Sequence, residues 1–141
     1  MPAILNPYLN FKGDARAAGE FYASVFGGEV TVSTFGDFGM PVEDSEKDLV
    51  MHSQLTTPSG FTLMLADTPS HMDYTPGTNF SVSLSGGPDT KDELSGYFEK
   101  LVEGGTVGEP LATAPWGDTF GMATDKFGIS WLVNISGQPQ G

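Results

Sequence analysis

The chain has 141 residues, enough for one domain or a pair of small fused modules with a real core. Its 18 acidic residues stand against six Lys and Arg, a formal net charge of −12 that repels phosphate backbones and makes nucleic acid an unexpected partner. Cysteine is absent, which excludes disulfides, thiolate chemistry and Cys-bound metals, and no apolar run has the length of a membrane span. The acids are scattered rather than clustered, a pattern that favours a solubility feature over attraction of a cationic ligand. The opening "MPAILNPYLNF" lacks the basic start and cleavage site of a secretion signal, so a cytoplasmic protein is expected.

In chain order, "ILNPYLNF" (4–11) predicts a strand closed by the turn "KGD". Asp14 is placed to cap a helix over residues 15–26, where Ala17, Ala18, Phe21, Tyr22, Val25 and Phe26 share one face. Gly27-Gly28 ends that helix. "EVTVSTF" (29–35) predicts a strand, residues 36–48 a polar loop, and "LVMHSQLTT" with "FTLMLADT" two strands joined at "PSG". Residues 68–78, "TPSHMDYTPGT", form a Pro-rich linker. The order then returns: a strand "NFSVSLSG", a helix with a Thr90/Glu93 capping-box spacing and a stripe of Leu94, Tyr97, Phe98, Leu101 and Val102, then Gly104-Gly105. "TVGEPLATA", "GDTFGMATD" and "ISWLVNI" complete it as three strands. A strand, a helix and three strands written twice read as an internal duplication. The expectation is two βαβββ modules, residues 1–67 and 79–141, with helices outside and curved sheets enclosing a cleft.

"FYASVFGG" after "KGDARAAG", with "YLNFKGDARAAGEFY", "MHSQL", "LMLADT" and "WGDTFGMATDKFGISWLVN", resembles the vicinal-oxygen-chelate superfamily of glyoxalases, bleomycin-resistance proteins and dioxygenases, nearest its PhnB-like branch. The likeness covers residues 4–135 and implies the α+β glyoxalase/bleomycin-resistance fold. Metal-dependent members hold their ion with His or Glu at four equivalent points, and alignment on the first helix puts Pro7, Met64, Asn79 and Leu132 there. These side chains offer almost no donors at metal distance, so no metal and no cofactor is expected. Relatives commonly form two-fold dimers, and a homodimer is expected here too, with Trp116 or the 36–48 loop near its interface or the cleft mouth.

Strand alternation extends from those four points. Asn79 brings Ser81 and Ser83 to the cleft, Leu132 brings Ser130 and Asn134, and Met64 brings Thr62 and Ala66. Met51 and Leu55 turn inward, so His52 and Gln54 face the cleft. The predicted lining is neutral, rich in hydroxyl and amide groups, with a single histidine. His52 is the candidate general base and Asp67 the acid that would orient it; the bland alternatives are a hydrogen-bonded strand histidine and a turn cap. Trp116 in "PWGDTFG" is either an aromatic wall over the cleft or a packed bulge residue, with Gly117 allowing a sharp bend. The leading expectation is a module that binds a small organic molecule; the alternative is a glyoxalase-type lyase, isomerase or transferase that uses His52 with Asp67, or a metal held by residues outside those four points.

Overall fold

In the computed structural model, which describes residues 3–137, the strand–helix–three-strand order occurs twice, and the chain divides between Pro76 and Gly77 into two units. The first holds β1 (Tyr8–Phe11), α1 (Ala15–Phe26), β2 (Glu29–Thr34), β3 (Val50–Thr56) and β4 (Thr62–Asp67). The second holds β5 (Val82–Gly86), α2 (Lys91–Leu101), β6 (Thr106–Thr113), β7 (Thr119–Thr124) and β8 (Ser130–Ile135). The sheets are ordered β1-β4-β3-β2 and β5-β8-β7-β6. In each, the first strand runs parallel to the last and the other pairs are antiparallel. β5 starts three residues later than the alternation of "NFSVSLSG" predicts, because its ladder begins only where Val82 meets Trp131 of β8. The segment expected to be a linker is anchored at its start: Thr68 N–H donates to the Phe11 carbonyl, Pro69 is buried, and Ser70 binds Glu46.

One helix packs on one face of each sheet. In α1, Ala15, Ala18, Phe21, Tyr22, Val25 and Phe26 are buried at helical spacing, while Ala17, expected on that stripe, is exposed. In α2, Leu94, Phe98 and Leu101 are buried and Tyr97 lies at the margin, its hydroxyl donating to Glu93. Each fully buried large side chain on these stripes contributes about 1.5–3 kcal/mol.

The duplicated glycines have a shared cause. A Cβ at Gly28 would overlap the Thr56 carbonyl oxygen, and a Cβ at Gly105 would overlap that of Thr124, so in both units the chain leaving the helix crosses the end of the third strand too closely for a side chain. The hairpin that follows is duplicated as well. Gly60 and Gly128 donate to the carbonyls of Thr57 and Asp125, and the side-chain oxygens of those two residues accept the N–H groups of Phe61 and Ile129. Asp125 also accepts the indole N–H of Trp131 at 2.8 Å, which fixes the largest core side chain of the second unit.

Neither predicted cap forms as a side-chain cap. Asp14 and Thr90 have ψ of 0° and 5°, not the extended backbone from which a capping side chain reaches the first turn. Thr90 Oγ1 donates back to the Gly87 carbonyl instead. The carboxylate that serves the start of α1 comes from β4: Asp67 Oδ1 accepts Gly13 N–H at 2.8 Å and Ala15 N–H at 3.0 Å.

Candidate functional site

Register decides which side chains share the sheet faces turned away from the helices. In the first unit Thr31 of β2 pairs with Gln54 of β3, Gln54 with Met64 of β4, and Met64 with Tyr8 of β1. His52 shares this face, with its ring centroid 5.9 Å from that of Tyr8 and the planes tilted by 33°. Gln54 Nε2 donates to Thr56 Oγ1 at 3.3 Å. The opposite face, toward α1, carries Leu9, Phe11, Ser53, Leu55, Leu63 and Leu65, all buried.

The second unit repeats the row with different chemistry. Glu109 of β6 pairs with Met122 of β7, Met122 with Leu132 of β8, and Leu132 with Ser83 of β5. Phe120 and Asn134 form the adjacent pair. At the other end the Ser81 hydroxyl donates to Ser130 Oγ at 3.0 Å. Leu84, Trp131, Val133 and Ile135 fill the helix side.

The structure thus brings His52, Gln54 and Met64 together on one face of the first sheet, and Ser81, Ser130, Leu132 and Asn134 on one face of the second. Asn79 stays outside, exposed in a bend before β5. Pro7 precedes β1, and its carbonyl accepts the Met64 N–H. On β1 it is Tyr8, not Pro7, that stands beside Met64, as the burial of Leu9 and Phe11 on the other face requires.

Asp67 does not come to His52. It is 5% exposed, and besides the two N–H groups before α1 its Oδ2 accepts Val50 N–H at 2.9 Å. This carboxylate ties the β1–α1 turn to the start of β3. Trp116 is 74% exposed at the tip of the β6–β7 hairpin, where Gly117 has φ of +101°. Gly137 N–H donates to Asp118 Oδ1 beneath that tip. His71 is exposed.

Thr31, Tyr8, Met122 and Glu109 escaped the sequence reading. Carrying the Leu9/Phe11 alternation backward would have found Tyr8. Met122 follows from Leu132 across the regular β7–β8 ladder, whereas Glu109 depends on the β6–β7 register, which slips between Val107 and Glu109 and again between Glu109 and Ala112.

Among the described residues no three His, Cys, Asp or Glu side chains come together as a metal-binding group. Two four-stranded mixed sheets, each with one helix on a single face, define an α+β protein of the glyoxalase/bleomycin-resistance fold. A family enzyme of that description from Burkholderia phytofirmans PsJN has the same fold, with a TM-score of 0.58 at 16% identity over 91% of this chain and 95% of its own. The profile of the 3-demethylubiquinone-9 3-methyltransferase family, to which PhnB-like proteins are assigned, matches residues 3–134, and the chain belongs to that family. It is similar to protein PA1353 from Pseudomonas aeruginosa, at 36% identity and a TM-score of 0.81 over 96% of this chain and 98% of that one. A Bacillus cereus PhnB protein described as a putative 3-demethylubiquinone-9 3-methyltransferase is 26% identical with a TM-score of 0.74, over 95% and 100% of the two chains.

Proposed function

We propose that this PhnB-like protein binds a small organic molecule on the sheet faces turned away from its helices. The observation that carries the reading is the pair of equivalent rows, Thr31–Gln54–Met64–Tyr8 and Glu109–Met122–Leu132–Ser83, set by the strand register. The first row has the Met64 thioether beside the Gln54 amide at its centre and hydroxyls at both ends, and the second has Met122 and Leu132 at its centre with a carboxylate and a hydroxyl at its ends. Such groups hold a guest by contact and orient it by hydrogen bonds. Met64 and Leu132 occupy the middle of each row, and with Pro7 and Asn79 they do not compose a donor set for a divalent cation.

A second reading, a glyoxalase-type lyase, isomerase or transferase, is favoured by one observation: His52 and the Tyr8 phenol stand side by side on one face, and both are proton-transfer groups. Asp67 takes no part, since its oxygens are committed to backbone N–H groups.

A thermal-shift screen of small organic molecules tests the proposal, because a guest bound only by the native state raises the melting temperature. Binding without turnover supports the module. Stoichiometric metal in the purified protein, with turnover lost in His52→Ala, would favour the enzyme. We further propose a homodimer, the commonest soluble assembly, which light scattering would show as twice the chain mass.

A further inference from the structure

We propose that the guest is an organic cation, with Glu109 recognising its charge and Met122 and Leu132 its apolar body. The inference rests on the binding reading above and adds the chemical class of the ligand. None of the six Lys and Arg lies on a strand: Lys12 is in the β1–α1 turn, Arg16 on α1, Lys47 beside a 3-10 turn, Lys91 and Lys100 on α2, and Lys126 in a hairpin. Apart from the His52 imidazole, the sheet faces therefore hold no side chain that could neutralise a phosphate or carboxylate, and a protein of net charge −12 repels such a guest from a distance.

The charged residues that register places on those faces are Glu29, opposite Thr56, and Glu109, opposite Met122. Glu29 stands at the end of its strand. Glu109 is exposed, and among the described residues its side chain has no hydrogen bond or ion pair. It begins a row whose next two members are Met122 and Leu132, both half-buried. Two strand spacings separate Glu109 from Leu132, about 10 Å. That span fits an ammonium group joined to a short alkyl or aryl body. A carboxylate near such a head group attracts it, and a thioether and an alkyl side chain cover the body.

The test uses three probes that share a six-carbon chain and differ in head group, with binding to the full chain followed by calorimetry at low salt: hexyltrimethylammonium, 1-hexanol and hexanoate. The cation is expected to bind tighter than the alcohol by about two- to fivefold, the size of an exposed charge pair, and hexanoate weakest. Glu109→Gln should erase the preference for the cation while leaving 1-hexanol binding unchanged. Glu99→Gln, which removes an equal charge from the exposed side of α2, should keep it. Equal binding of all three probes, or equal loss in both variants, would overturn the assignment to Glu109 and leave small-molecule binding intact. Binding of none of the three would overturn the cation proposal, while the wider binding reading would still be decided by the thermal-shift screen.

Discussion

Asp67 is the residue on which the sequence and the structure part most sharply, and its replacement has a calculable effect. In Asp67→Ala, three backbone N–H groups lose their acceptor. Those of Ala15 and Val50 are buried, and that of Gly13 is partly accessible, so water can replace the carboxylate there. An unsatisfied buried donor costs about 1–3 kcal/mol, which puts the loss near 2–6 kcal/mol for the two. Asp67→Asn retains an oxygen where Gly13 and Ala15 donate but turns an amide N–H toward Val50, so its loss should be smaller than that of the alanine variant. Urea unfolding followed by circular dichroism measures both. With a slope of about 1–3 kcal/mol per molar urea, the alanine variant's midpoint should fall by roughly 1 M or more. Hydrogen exchange at Gly13, Ala15 and Val50 should quicken first. A loss below about 0.5 kcal/mol would refute the reasoning, since that is the range of surface substitutions away from any special feature.

Gly28→Ala and Gly105→Ala should each cost about 1–3 kcal/mol, the range for forced overpacking, and Gly28→Ala more because its φ is +94°; equal stability to the parent in thermal melts would contradict the shared crossing. Gly117→Ala meets open space and should cost less, leaving only backbone strain of about 1 kcal/mol. The carboxyl of Glu46 is held below the usual glutamate range by the backbone N–H and then the hydroxyl of Ser70. A depressed folded pKa means the contact contributes fully above the ordinary value of 4.5 and is lost as pH falls through the lower folded value. The protection of the Ser70 amide, taken relative to its intrinsic exchange rate at each pH, should therefore fall on acidification through that window, and Glu46→Gln should show reduced protection already at neutral pH.

Much of the architecture was legible because alternation and helical spacing are local. Leu63 and Leu65, Trp131 and Val133, and the stripe of α1 apart from Ala17 lie where period 2 and period 3.6 put them. What failed was settled by distant partners. The start of β5 depends on where β8 begins to pair, so Asn79 alternates in sequence without joining the ladder. Asp14 and Thr90 have the right residue type for a cap but the wrong backbone angle, and the acceptor for α1 lies more than 50 residues away at Asp67. Glu109 could not be assigned a face from alternation alone, since two irregularities in β6 flank it and Pro110, tolerable on this edge strand, follows it.

The six methionines give the most direct test of small-molecule binding on these faces. Met64 and Met122 sit within the two rows, Met51 is half-buried at the irregular start of β3, and Met40 and Met72 are exposed outside the sheets. With the methionine methyl groups labelled, NMR titration with a compound that raises the melting temperature should shift the Met64 or Met122 resonance, or both, saturably. Met40 and Met72 should stay still. Shifts confined to Met40 or Met72, or a stabilising compound that moves neither row, would contradict the proposed binding surface.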